Sequence, residues 1–165
     1  MTVVSDSSPL ITLSKIGRLD VLFHLYHQVM ITPQVYDEVA IKGAGLAGSD
    51  EITNATWIKI KNIIDMSGLM VDQTQLGLGL GELSAIALAK EIAADVVLID
   101  EIKARGIARN KGLRVVGCVG ILEHAFTRHL IPDLSQTYRD LLGSGAYVDR
   151  GILERSLRSL NLPPL

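Results

Sequence analysis

Short runs of β-branched residues recur along this chain, and between them apolar residues return at helical spacing. "TVVS" at Thr2 to Ser5, the run Gln28 to Thr32, "WIKIKN" at Trp57 to Asn62, "DVVLI" at Asp95 to Ile99 and the run Leu113 to Gly117 each have the length and composition of a strand. "DVVLI" shows no polar alternation after Asp95, so burial on both faces is expected there, as in parallel sheets. Helical patterns occupy Pro9 to Ile16, Leu19 to Leu25, Pro33 to about Lys42, Gly81 to Ala93, Glu101 to Lys111, Val119 to His129 and two segments within Leu134 to Leu160. This alternation implies an α/β protein with a central, mainly parallel sheet in a three-layer α/β/α arrangement, with extra helices at the C-terminal end. Gly43 to Thr56 reads as a loop, and Asp65 to Gly81 fits neither pattern. With 165 residues, no internal repeat and no long linker, a single domain over 1–165 with one core is expected.

Composition narrows the setting. A hydrophobic fraction of 48% excludes a disordered chain. Every apolar run is interrupted well short of the ~20 residues that a bilayer span needs, so no membrane association is expected. Met1 to Leu10 holds Asp6 and three serines in place of a secretory signal, which makes the cytoplasm the expected compartment. Cys118 is the lone cysteine, so thiolate metal clusters and internal disulfides are ruled out, and it reads as a small buried hydrophobe. The net charge of −2 supplies no global field for nucleic acid, so phosphate binding needs a local patch or bound cations.

In an open parallel sheet, ligands sit beyond the carboxyl ends of the strands. Asp6 directly follows "TVVS" and Asp100 directly follows "DVVLI", so both are expected at the same sheet edge. An aspartate that merely caps the next helix is the alternative at each position. Helical phase adds two further acids. Glu82 shares a face with Ala85, Ile86, Ala89 and Ala93, which turns it toward the sheet, although a first-turn glutamate also complements the helix dipole. In "PQVYDEVAI" the buried side is set by Val35, Tyr36 and Val39, with Asp37 opposite and Glu38 flanking the stripe, so Glu38 is the candidate and a solvated surface acid the alternative. Four carboxylates gathered without cations would raise one another's pKa values. Oxygen-only ligands point to a hard divalent ion, Mg²⁺ or Mn²⁺, of the kind that serves phosphoryl chemistry.

"VVSDSSPLITL", "ITPQVYDEV", "GELSAIALA" and "VVLIDEIKARGIARNKGLRVVG", in that order, resemble the PIN-domain ribonuclease fold, and most closely a bacterial and archaeal branch related to VapC-type toxins. The resemblance covers about residues 2 to 131, with less distinctive helices over about 132–165. It implies hydrolysis of single-stranded RNA, dependent on Mg²⁺ or Mn²⁺, by in-line attack of metal-bound water. Asp6, Glu38, Glu82 and Asp100 match the family's acidic positions, as catalytic residues and metal ligands. Ser7 and Ser8 match the small polar positions that would orient Asp6 or a water, and Glu101 is a neighbour able to share a ligand role. The toxin half of a toxin–antitoxin pair is one form this activity takes, with an antitoxin protein or a homodimer as partners.

This chain departs from the pattern in places. Glu82 stands where many relatives have aspartate, and Leu98 where many have threonine, which bears on rate and metal stoichiometry. Lys103, Arg105 and Arg109, with Lys111 and Arg114 nearby, form the basic concentration next to an acidic position; they read either as RNA phosphate contacts or as the solvated face of an amphipathic helix. Two other readings stand beside the ribonuclease. One is a catalytically weak or inactive PIN-fold module that binds nucleic acid or protein. The other, a Mg²⁺-dependent phosphatase, is disfavoured because such enzymes need a second aspartate where Ser8 stands. Leu153, Leu157 and Leu160 share a stripe suited to covering the site, to a dimer surface, or to local packing.

"LGLGLGELSAIALAK" at Leu76 to Lys90 superficially suggests a nucleotide loop, but no convincing strand precedes Gly77, Gly79 and Gly81 and the dinucleotide spacing is absent. The glycines are expected to serve as a pliable approach that sets Glu82 beside Asp6 and Asp100.

Overall fold

The structure, a computed structural model, describes residues 1–46 and 48–165. Strands β1 (Val3–Ser5), β2 (Val29–Ile31), β3 (Ile58–Ile60), β4 (Val96–Leu98) and β5 (Val115–Val116) form a sheet in the order β3-β2-β1-β4-β5. Every pairing is parallel. Register sets Val4 opposite Met30 on one side of β1 and Ser5 opposite Leu98 on the other. The chain builds outward from β1 through β2 to β3, then returns to the far side of β1 with β4. Strand order therefore reverses between β1 and β4, and a crevice opens beyond their carboxyl ends.

Helices α1 (Ser7–Lys15), α2 (Asp20–Tyr26), α3 (Pro33–Tyr36), α4 (Ser49–Asn54), α5 (Met66–Leu76), α6 (Leu80–Glu91), α7 (Ile102–Asn110), α8 (Cys118–Thr127), α9 (Leu134–Gly143) and α10 (Arg150–Ser159) complete three layers. In one layer α6 packs on β1 and β4 and against α3, α5 and α7; in the other α8 packs against α1, α2, α9 and α10. The central strands are covered on both faces: Val3, Val4, Val97 and Leu98 have no exposed surface. That is why "DVVLI" lacks polar alternation.

Thr32 caps α3 by accepting from the Val35 amide at 3.2 Å, and Pro33 supplies the first residue, with no amide to satisfy. The helix then widens into a π turn over Asp37–Ile41, where the Lys42 amide donates to the Asp37 carbonyl at 2.9 Å. The Val39 carbonyl accepts from the Ser49 hydroxyl at 3.0 Å instead. Gly43 is needed here because a Cβ would overlap the Val39 carbonyl oxygen. This turn exposes Asp37 and leaves Glu38 half-buried, as phase predicted.

Several expectations are corrected. The first helix starts at Ser7, because Asp6 takes the extended N-cap conformation and Pro9 fits inside the first turn. Ser7 and Ser8 are the first two residues of the helix. Within the loop expected over Gly43 to Thr56, of which Ala47 lies outside the described residues, Ser49–Asn54 forms α4. Asp65 to Gly81 proves to contain α5, capped by the Asp65 side chain accepting from the Gly68 amide at 3.0 Å and ended by Gly77 at φ 65. Ala93 is exposed past the end of α6, at φ 48, so the inward stripe of Glu82 stops at Ala89. Leu153 and Leu157 are wholly buried, so the stripe on α10 is local packing. Among the described residues no helix is long and apolar enough to cross a membrane.

Candidate active site

Asp6 ends β1. Its amide donates to the Leu98 carbonyl at 3.0 Å, which continues the ladder one step and turns the side chain into the crevice between β1 and β4. The residue is 1% exposed, and its Oδ2 has no hydrogen-bond partner. Burial pushes its carboxyl up to about 7; the Ser7 and Ser8 amides pull it down, while the Glu82 and Glu38 carboxylates push it further up. An unpartnered buried carboxylate oxygen is costly, and two neighbouring anions make it more so.

Glu38 reaches the same place from the π turn. Its Oε2 accepts from the Ser7 hydroxyl at 2.6 Å, and its Oε1 accepts from the Gly81 amide at 3.1 Å. The Ser7 hydroxyl is 3.4 Å from Asp6 Oδ1, so its proton is committed to Glu38 and its oxygen spaces the two carboxylates. A Cβ on Gly81 would overlap the Glu38 carboxylate. Glu82 follows directly; its Oε2 accepts from the Gly79 amide at 2.8 Å, and burial, then the charges of Glu101 and Glu38, hold its carboxyl above the ordinary glutamate value. Glu82 caps its own helix, and its charge adds to the field on Asp6.

The three glycines thus have three separate tasks. Gly77 ends α5 in the left-handed region, Gly79 offers its amide to Glu82, and Gly81 leaves room for Glu38 while donating to it. None of them needs a nucleotide.

Asp100 stands two residues beyond Leu98 on β4, at the same edge as Asp6. Its Oδ1 accepts from the Cys118 amide at 2.7 Å and its Oδ2 from the Cys118 thiol at 2.9 Å. Burial and the adjacent Asp100 charge keep that thiol protonated, well above the usual cysteine range. Cys118 is buried, as expected, but it is not simply a hydrophobe. The strand-end argument that selected Asp6 and Asp100 applies equally to "VVGC" after β5, and would have found it. Gly117 also lets the carboxylate and a guanidinium close in, since a Cβ there would overlap Arg105 and lie 2.9 Å from Asp100 Oδ1.

Glu101 turns away to cap α7, accepting from the Lys103 amide at 3.0 Å and the Ala104 amide at 2.6 Å. The basic residues divide. Arg105 and Arg109 line a groove beside Asp100, whereas the Lys103 ammonium lies near Gly77, Lys111 pairs with Asp72 at 3.6 Å, and Arg114 is exposed. Ser8 is half-buried on the groove wall near Asp100.

Asp6 and Glu38 thus flank the Ser7 hydroxyl, Glu82 is near enough for its charge to act on Asp6, and Asp100 stands at the end of the neighbouring strand. Among the described residues, no three Asp, Glu, His or Cys side chains are drawn together tightly enough to hold one ion as placed. The reason lies in their partners: Glu38, Glu82 and Asp100 are each turned toward protein donors. The donor set nevertheless fits a hard divalent cation, because it is all oxygen at the crevice itself and leaves Asp6 Oδ2 without a proton donor.

A family model described as "DUF3368: PIN domain" matches residues 2–162, a span that includes the two C-terminal helices. No curated protein matches the chain. The parallel sheet with its switch point between Asp6 and Asp100, and a family match over nearly the whole sequence, lead to one conclusion: the chain belongs to the PIN-domain family, whose fold is that of nucleases.

Proposed function

We propose that this protein is a metal-dependent endoribonuclease that hydrolyses phosphodiester bonds of single-stranded RNA at the crevice between β1 and β4. The observation that carries this reading is the buried, unpartnered Oδ2 of Asp6 set among two further carboxylates, Glu38 and Glu82. Asp6, Glu38, Glu82 and Asp100 would hold Mg²⁺ or Mn²⁺, which when bound neutralises the phosphodiester and lowers the pKa of water. Ser7 fixes Glu38, the Gly79 and Gly81 amides orient Glu82 and Glu38, and Cys118 orients Asp100. Glu101 supports from the cap of α7 and contributes negative field at Glu82.

One observation favours a second reading, a PIN-fold binding module without turnover: three of the four acids already have protein partners and are not clustered for an ion. Incubation of the purified protein with labelled single-stranded RNA and Mg²⁺ or Mn²⁺, beside Asp6→Asn and Asp100→Asn, separates the two. Cleavage by the parent that both variants lose supports the nuclease; no cleavage, or cleavage unchanged in both variants, overturns it. A toxin role, with an antitoxin as partner, belongs to the nuclease reading. It predicts that expression of the chain alone arrests bacterial growth and that Asp6→Asn relieves the arrest.

A further inference from the structure

Beside Asp100 lies a groove of about 830 Å³ between α7 and the loop that joins α9 to α10. Its walls are mostly apolar, and three large apolar side chains on its margin are unburied: Ile102 is 79% exposed, Ile152 41%, and Tyr147 fully exposed. The loop is built to hold Tyr147 outward. Ala146 and Val148, on either side, pack against the core; the Val148 amide donates to the Ala146 carbonyl at 3.0 Å, and Asp149 caps α10 by accepting from the Ile152 amide at 3.1 Å. An aromatic ring held out of the core between two anchored neighbours has no packing role.

Across the groove, Ile102, Arg105 and Arg109 fall at i, i+3 and i+7 of α7, one helical stripe. Arg105 is half-buried beside Asp100 and Gly117, yet neither arginine forms an ion pair or side-chain hydrogen bond among the described residues. Among those residues neither guanidinium is within ion-pair distance of a carboxylate, although Asp100 lies beside Arg105 and Glu101, Glu123 and Asp149 also line the groove. The α7 stripe is thus the side of the groove that offers a cation to an outside anion, and its planar forks suit phosphate. An apolar peptide would leave both arginines unpaired. A free phosphate would leave the aromatic and aliphatic margin unused.

We infer that this groove is the subsite for an unpaired nucleobase and its phosphate next to the scissile bond, with Tyr147 as stacking platform and Arg105 and Arg109 as phosphate contacts. The inference rests on the ribonuclease reading and adds to it the side of the crevice along which the strand runs. Stacking needs a base with a free face, so the groove selects single strands over duplex.

Affinity is measured by fluorescence anisotropy with a short fluorescein-labelled single-stranded oligoribonucleotide in Ca²⁺, its integrity checked on a gel, beside an abasic strand of equal length. Tyr147→Ala is expected to weaken binding of the base-bearing strand roughly five- to a hundred-fold, leaving the abasic strand unchanged. Tyr147→Phe should restore binding, and Arg109→Ala should weaken both strands. Equal binding of the base-bearing strand by the parent and Tyr147→Ala, or equal loss on both strands, overturns the inference. The two readings fail separately. Cleavage that persists with Tyr147→Ala affinity unchanged sinks the groove alone, whereas base-dependent binding without cleavage in any metal supports the groove and sinks the nuclease.

Discussion

The Glu38 carboxylate lies so close over Gly81 that it accepts the Gly81 amide at 3.1 Å and would overlap any Cβ at that position. One contact therefore ties the π turn to the first turn of α6 and fixes a candidate metal ligand. Gly81→Ala sets two effects against each other. Alanine favours a helix by up to about 1 kcal/mol over glycine, while its methyl displaces Glu38. Because Glu38 is half-buried at the crevice mouth, it can move outward. Stability of the metal-free protein should therefore change little, and divalent-ion affinity should fall about tenfold or more. Thermal melts titrated with Mn²⁺ read both quantities, and unchanged Mn²⁺ affinity would show that Glu38 is not a ligand.

Asp6→Asn should stabilise the metal-free protein. The buried carboxylate is opposed by desolvation and by Glu82 and Glu38, and an amide removes that charge while offering its N–H₂ to either neighbour. The gain expected is about 0.5–2 kcal/mol, or roughly 1–8 °C in Tm for a chain of this size. Cleavage, by contrast, should disappear, as should the rise in Tm that Mn²⁺ gives the parent. A lower Tm for the variant in EDTA would mean that the carboxylate is stabilised by contacts other than those described.

The sheet was legible because five short β-branched runs leave few alternatives to a parallel arrangement, and strand ends alone singled out Asp6 and Asp100. Glu38 and Glu82 were legible through helical phase, since one side of each helix is apolar. What the sequence concealed depends on contacts distant along the chain. What crowds Gly81 lies 43 positions away in Glu38, and the polar role of Cys118 lies 18 positions away in Asp100. The helix Met66–Leu76 was hidden for a different reason: only Leu69 is deeply buried, so no apolar stripe announces it. The basic cluster looked single in sequence, but helical rotation sends Lys103 to one side and Arg105 with Arg109 to the other.

Cys118 gives Asp100 two donors, one from the backbone and one from the thiol, and a side-chain substitution can remove the second while keeping the first. Cys118→Ala should leave the carboxylate free to rotate about the remaining bond, lowering metal affinity or cleavage about tenfold. Cys118→Ser keeps a donor at the same place and should retain most of the activity. If both variants cleave like the parent, the backbone amide suffices to hold Asp100. If serine fails as badly as alanine, the sulfur matters for its volume rather than its proton.

Tyr138 joins α9 to α10 through its hydroxyl, 2.6 Å from the Ser156 hydroxyl with no surface exposed. Burial pushes the phenol up to about 12 from an ordinary value of 10.0, the Ser156 bond draws it partly back, and the Glu123 charge adds to the rise. The folded state thus holds this proton more tightly than the unfolded chain. Its contribution to stability is complete below pH 10 and is lost as the pH climbs through about 12. Tyr138→Phe should cost about 1 kcal/mol near neutrality, because Ser156 is left without its partner. It should also remove part of the alkaline decline. Urea unfolding of parent and variant at neutral pH and again above pH 11 gives the comparison: the stability gap should narrow at high pH. A gap that stays constant would mean that the Tyr138 proton is held no more tightly in the folded protein than in the unfolded chain.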